Sequence, residues 1–484
     1  MIFLLTWIPF VAAFLILLTP SEKKSALPII AKTACLLTFL LTIGFLWRFR
    51  PDQPGYQFLI RIEWFPAFGI AYQAGLDGIN MTLCLLHALV SLAGVFTAAR
   101  EKKRLKEYLF FYLILVGAIY GVFTCLDLFF LYLFYETTLI PLYPMIGIWG
   151  SKNKEYGAMQ LTLFITAGAA LALFGILLLY QKTGFGTFDL IRITEHLKNA
   201  PFAAHDQNFL AALILIGFGV IASLWPLHSW SPIGYAAAPT SVSMLHAGVL
   251  KKMGPYLILR IALACLPAGM AHWSTLLAVL SGIGILYAGY AAISQKDLKF
   301  MVGFSSVSHM GYVLLGIAAM TVTSVSGAVL LMFSHGVMAA AMFAVIGFIY
   351  EQTHARGVFD FGGLGKKVPF ISMSFIMASL ASLGLPGFSN FVAELLIFIG
   401  SWEKSPVLVG LAVLGVLITA IYLLRAVQHV CYGEFNPKWN QLKDAVTWQE
   451  KFPFVLLLGA LLLFGFWPQG LLRLIQPAVG AMLP

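Results

Sequence analysis

One pattern constrains this chain more than any other. Apolar runs of about 20 residues, nearly free of charge, follow one another along its length. A run of that length spans hydrocarbon as an α-helix, the fold that satisfies every backbone polar group within the segment. Of the 484 residues, 60% are hydrophobic and only 10% charged, whereas about a quarter are charged in soluble domains. The runs predict spans near 2–19, 26–47, 78–99, 108–125, 127–149, 157–180, 208–228, 238–262, 273–293, 298–320, 324–350, 369–400, 406–430 and 452–474. The expected fold is an all-α polytopic membrane protein of about fourteen transmembrane helices in a single membrane domain, 1–484. The longest polar intervals, Trp47–Gly75 and Gln181–Gln207, are too short to build a separate core. The opening MIFLLTWIPFVAAFLILLTP lacks a basic stretch before its apolar run, so a retained span is expected rather than a cleaved signal.

Several function classes are excluded. Cys35, Cys84, Cys125, Cys265 and Cys431 are scattered with no CxxC or Cys/His cluster, against iron–sulfur, zinc and disulfide frameworks. GGLGK at Gly362–Lys366 lacks P-loop spacing, and Gly282-Ile283-Gly284 lies inside an apolar run. No metal or cofactor is expected in this chain, and no complete enzyme site. The net charge of +10 does not imply nucleic acid, because the basic residues sit singly or in short loops. Their distribution instead sets orientation, since cytoplasmic loops are enriched in Lys and Arg. Loops and span ends reached after odd-numbered spans hold 18 of the 30, including Arg100, Lys102, Lys103, Arg104 and Lys106; the other side holds nine. Both termini are therefore expected on the outer, periplasm-equivalent face of an inner or other energy-coupling membrane.

Within this array the stretch Phe209–Arg260 stands apart. Pro226, His228 and Pro232 interrupt its first run, and its second carries His246, Lys251 and Lys252. Proline removes a backbone hydrogen bond, and a lysine in hydrocarbon is costly unless it faces protein or water. A similar interruption, SLGLPGFSNFVAE, falls in span twelve with Pro386 and Asn390. Spans seven and twelve are each the fourth of a five-span set, 4–8 and 9–13, and matched breaks of this kind point to inverted repeats with ion sites near the midplane. The predicted divisions are 1–107 (spans 1–3), 108–262 (first set), 273–430 (second set) and 431–484 (loop and last span), with spans seven and twelve discontinuous.

Few ionisable side chains lie within spans: Asp127, Glu136, His246, Lys251, Lys252, His309, His335 and Glu394, with His228 in the first break. Histidine exchanges protons near neutrality, and burial shifts Glu and Lys into that range, so these groups suit a proton relay. Each has a structural alternative. Asp127 sits near a membrane face and can anchor its span. His309 and His335 can be packed, hydrogen-bonded histidines, and His228 can cap freed backbone. Lys251 and Lys252 point about 100° apart on an α-helix, so at least one should line the polar interior.

At these residues the chain resembles the antiporter-like, proton-pumping subunits of respiratory complex I, most closely the NuoM type, a superfamily shared with subunits of Mrp-type cation/proton antiporters and membrane-bound hydrogenases. The resemblance runs through AGLDGIN, FYETTLIPLYPMIGIWG, PLHSW, AAPTSVSMLHAGVLKK, QKDLKFMVGFSSVSHMGY, FSHGVMAAAMF and GLPGFSNFVAE in that order. It implies a proton-translocating axis of Glu136, Lys252, His309, His335 and Glu394, with His228, His246, Lys251 and Asp127 as accessory groups. It also implies neighbouring membrane-arm subunits as partners, and NADH–quinone redox chemistry in other subunits. The family normally has a lysine in span seven where this chain has Ile221, and WLPDAH where it has WSPIGY. Lys251 or His246 is expected to replace that lysine. The alternatives are an antiporter or hydrogenase-linked subunit without NADH chemistry, and a non-conducting scaffold.

Overall fold

The computed structural model describes every residue except Ser21, Lys24, Pro54 and Pro484; Lys24, one of the loop cations counted above, lies outside the described residues. Helices α1 (Phe3–Leu18) and α2 (Ala26–Arg48) pack together and onto α3 (Gly78–Ala98) and α4 (Leu105–Thr124). A two-stranded antiparallel hairpin, β1 (Gln57–Phe65) and β2 (Ile70–Leu76), fills the polar interval before α3. This departs from an entirely helical reading. Alternation in QFLIRIEWF favours a strand, and Gly69 (φ 65°) turns the chain where a Cβ would overlap the Gly186 carbonyl.

The first predicted set of five spans falls on α4, α5 (Leu128–Trp149), α6 (Lys154–Thr183), a short amphipathic α7 (Leu190–Asn199), α8 (Ala204–Ala222), α9 (Trp230–Ala237) and α10 (Thr240–Gly248). After α10 come a 3-10 turn at Leu250–Lys252, α11 (Met253–Leu257) and a π segment at Ile258–Leu263. The second set comprises α12 (Pro267–Ser294), α13 (Leu298–Ala318), α14 (Val322–Thr353), a single turn α15 (Leu364–Lys367), α16 (Pro369–Ser382), α17 (Ser389–Trp402) and α18 (Pro406–Cys431). Then follow α19 (Trp448–Phe466) and α20 (Gln469–Met482).

Eleven of these helices are long and apolar enough to cross a membrane. The other three predicted spans fall on the 16-residue α1, on the composite element from Thr240 to Leu263, and on the pair α16 and α17. The run predicted at 452–474 does not stay one helix. It stops at Phe466, and beyond Pro468 the amphipathic α20 packs on α3 and α14. The centre of the bundle is α14, whose apolar window is wholly buried, while only a third of the windows of α2, α18 and α19 is.

The two sets repeat local details. Where α8 stops, Ser223 (φ 58°) donates to the Val220 carbonyl at 2.9 Å and Leu224 to Gly219 at 2.9 Å. Where α16 stops, Gly384 (φ 71°) donates to Ala381 at 3.1 Å and Leu385 to Leu380 at 3.2 Å. Both are the same left-handed helix stop, in which two otherwise orphaned carbonyls are satisfied. Asp127 and Asp297 each cap the second helix of a set through two N–H groups, and each sits in an isolated β-bridge to the segment following the third span.

Candidate functional site

The site begins where α10 ends. Val249 leaves helical geometry (φ −123°), and the 3-10 turn that follows carries Lys251 and Lys252, both fully buried. Consecutive residues of a 3-10 turn diverge by about 120°, so the lysines enter different surroundings. Lys252 Nζ donates to the Ala247 carbonyl and lies 2.9 Å from Nδ1 of His335 on α14. Lys251 Nζ donates to Ser231 Oγ (3.0 Å) on α9 and Ser306 Oγ (3.3 Å) on α13, over the Tyr235 ring.

From His335 the line continues into the second set. The ring centroids of His335 and His309 are 5.0 Å apart. His309 Nδ1 lies 2.8 Å from the Ser305 carbonyl, and Nε2 lies 3.0 Å from that of Ser382, the last residue of α16. A neutral imidazole donates to only one of those oxygens, whereas the protonated ring satisfies both. Glu394 Oε1 is 3.9 Å from His309 Nε2, and its carboxylate lies so close to Gly384 that a Cβ there would meet Oε2 at 2.6 Å. Lys252, His335, His309 and Glu394 thus form one buried series from the break in span eight to the break in span twelve.

The accessory residues are placed differently. His246 is stacked on Trp230 (5.4 Å) and edge-on to Tyr235 (5.1 Å), and neither ring nitrogen has a hydrogen-bond partner. His228 lies in the α8–α9 break against Tyr287, its Nδ1 unpartnered. Asp127 is a helix cap: it accepts from Phe129, Phe130 and Ala71 N–H groups. It does not join the series. Glu136 does not join it either; it lies half-buried on the outer stripe of α5.

Three charged groups in the structure were not anticipated as interior. Arg260, in the π segment, is buried against Asp77 at 2.5 Å between the Tyr56 and Tyr256 rings; the signal was an arginine inside the apolar run LILRIALACL. Lys299 is buried and donates to the Ala238 carbonyl at 2.8 Å. Arg356 pairs with Asp297 (3.0 Å) and donates to the Ala236 carbonyl (2.6 Å). Two cations from the second set therefore hold the C-terminal end of α9, where the helix dipole is negative. A cavity of about 940 Å³ beside Arg100 and Lys102 reaches Lys299, Thr240 and Ser241. Among the described residues no three His, Cys, Asp or Glu side chains are grouped to hold a metal ion.

Fold and site together define a polytopic helical membrane protein with interrupted helices around a buried row of titratable side chains. The family described as NADH:quinone oxidoreductase/Mrp antiporter, TM matches residues 125–419, and the chain belongs to it. NADH-quinone oxidoreductase subunit M of Rickettsia conorii is 35% identical over 489 residues, covering 99% of this chain and 97% of the relative. The subunit M of Rhodobacter capsulatus is 33% identical, covering 99% and 96%. A chain of respiratory complex I from Thermus thermophilus superposes with a TM-score of 0.89 at 27% identity over the full length of both. A chain of the Mrp complex from Dietzia sp. DQ12-45-1b shares the fold, with a TM-score of 0.86 at 19% identity over 99% of this chain and 97% of that one.

Proposed function

We propose that this chain is a proton-translocating membrane-arm subunit of a complex I-type NADH:quinone oxidoreductase, coupled to redox chemistry in other subunits. The observation that carries the reading is the continuous series Lys252, His335, His309 and Glu394 between two helix breaks. Relatives over nearly the whole length are subunit M of such enzymes. In this reading protons pass from Lys252 across the two histidines to Glu394, whose carboxylate faces the second break. A proton on His309 is held by the Ser305 and Ser382 carbonyls until Glu394 takes it.

The two five-span sets are read as inverted repeats, supported by their matched stops at Ser223 and Gly384 and matched caps at Asp127 and Asp297. Lys251, and not a residue of α8, is read as the basic group of the first set, because position 221 is Ile and Lys251 is fully buried among hydroxyls. His246, unpartnered beside it, is its proton-exchange neighbour. Both termini lie on the outer face, and neighbouring antiporter-like subunits flank the chain.

The test is redox-driven proton uptake by inverted membrane vesicles containing the whole complex. Glu394→Gln and Lys252→Ala should lower the proton-to-electron ratio with assembly intact. An unchanged ratio in both would point to a scaffold. Sodium-dependent transport without NADH oxidation would assign an antiporter.

A further inference from the structure

Two cations at one end of the bundle have no counterion between them. Lys32, in the second turn of α2, is the only charged residue from Ala26 to Trp47, and its Nζ stands 4.6 Å over the Phe96 ring of α3. Arg100 follows the C-terminal end of α3, its guanidinium over the Phe348 ring of α14. The two lie close enough to repel each other, and neither is in an ion pair among the described residues. A ring face attracts an ammonium but offers no oxygen to its three N–H donors. A lysine near a span end reaches toward the headgroups for one. Arg100 does have acidic neighbours. Glu101 accepts from the Lys102 and Lys103 N–H groups and Glu450 from those of Val446 and Thr447, while Glu351 is shared with Lys102 and Lys299. The charged group that acts on Lys32 is Arg100 alone.

The surroundings of the two cations suit a lipid. Helices α2 and α19 both pack on α3. Phe96 meets Phe452 of α19 at 4.8 Å, and Phe452 meets Trp448 at 6.4 Å. Trp448, the first residue of α19, is 66% exposed, as an aromatic anchored at a membrane surface is. One turn further along each helix, Leu36 and Val455 (each 45% exposed) continue the faces of Lys32 and Phe452 as apolar surface.

We propose that this face of α2, α3 and α19 seats an anionic phospholipid, its phosphate bridging Lys32 and Arg100 and its acyl chains lying along Leu36 and Val455. Basic pockets between transmembrane helices take anionic headgroups in this way. Two cations that repel each other favour a headgroup of net negative charge, because the amine of a zwitterionic lipid would add a third positive charge beside them. The lipid then supplies the ionic contact between α2 and the end of α3 that the chain's own side chains do not make. The site is separate from the buried series and does not depend on the translocating reading.

The experiment uses the whole complex in vesicles of equal parts phosphatidylglycerol and phosphatidylethanolamine, with a benzophenone amino acid at position 36. Irradiation links it to adjoining C–H bonds, and mass spectrometry identifies the adducts. The expected result is a preference for phosphatidylglycerol of roughly fivefold for each cation engaged, against equal labelling from position 417 on the exposed side of α18. Lys32→Met should remove about fivefold of that preference, and Arg100→Gln gives the same reading where the first variant fails to assemble. Equal labelling at both positions, an adduct with another subunit, or a preference unchanged in the variants overturns the proposal. Loss of the preference when inorganic phosphate is added at constant ionic strength also overturns it, since the groove is then a site for a free anion.

Discussion

Lys252 Nζ lies 2.9 Å from His335 Nδ1, and this contact joins the two halves of the molecule at their centre. With Nδ1 accepting, His335 carries its proton on Nε2, and that nitrogen is buried without a partner. A buried donor of this kind calls for water or a second state of the ring.

Removing the ammonium tests that contact. A hydrogen bond to a charged group contributes about 1.5–3 kcal/mol, so Lys252→Met should slow proton transfer roughly tenfold to a hundredfold. A pH-sensitive dye in inverted vesicles reads it. Lys252→Arg, fully charged but unable to release a proton, should not restore the rate, whereas a merely structural lysine would be rescued.

Asp77 and Arg260 form a pair whose members cannot be removed singly. Breaking a buried pair costs about 3–5 kcal/mol, while replacing both with apolar residues is often neutral. Asp77→Leu or Arg260→Met should each deplete the subunit from the assembled complex, measured by native gel and thermal inactivation. The double variant should recover most of it. Asp77 also caps α3 through Ile79 and Asn80 N–H groups, so recovery stays incomplete.

Gly384→Val should both strain the chain and displace Glu394, because the residue has φ 71° and its Cβ would reach the carboxylate. Strain at such a position costs about 1–3 kcal/mol. Gly410→Ala, with open space around its Cβ, is the control and should leave assembly and pumping unchanged. Equal behaviour of the two would refute the placement of Glu394 at the break.

The clamp on α9 predicts a local effect. Lys299→Met should speed hydrogen exchange at the α9 amides and lower pumping with little loss of assembly, and Lys299→Arg should restore both. Unchanged exchange in Lys299→Met would show that α9 is fixed by other contacts.

The sequence disclosed the membrane class, most span positions and both breaks, because hydrocarbon length and proline leave strong linear signals. It disclosed Lys252, His309, His335 and Glu394 as rare charges in apolar runs, and the structure places these four in one series. It did not disclose which groups meet. Lys299 and Arg260 read as loop or span-end cations because their partners, the Ala238 carbonyl and Asp77, are distant in sequence. The hairpin at 57–76 and the amphipathic α7 and α20 hid in polar or mixed stretches whose pattern resolves only against a neighbour. Asp127, a candidate relay group, is a cap because local N–H groups claim it.

The clamp also bears on how the chain enters the bilayer. The Ala236 carbonyl of α9 already has Ser151 Oγ (3.1 Å), and the Ala238 carbonyl Ser243 Oγ (3.4 Å), from residues close by or earlier in the chain. Their charged donors come later, Lys299 on α13 and Arg356 120 residues beyond Ala236. Local hydroxyls can therefore hold the half-helix in hydrocarbon, while its ionic fastening is added only after α13 and α14 have emerged. The first half of the molecule is thus seated early and locked late.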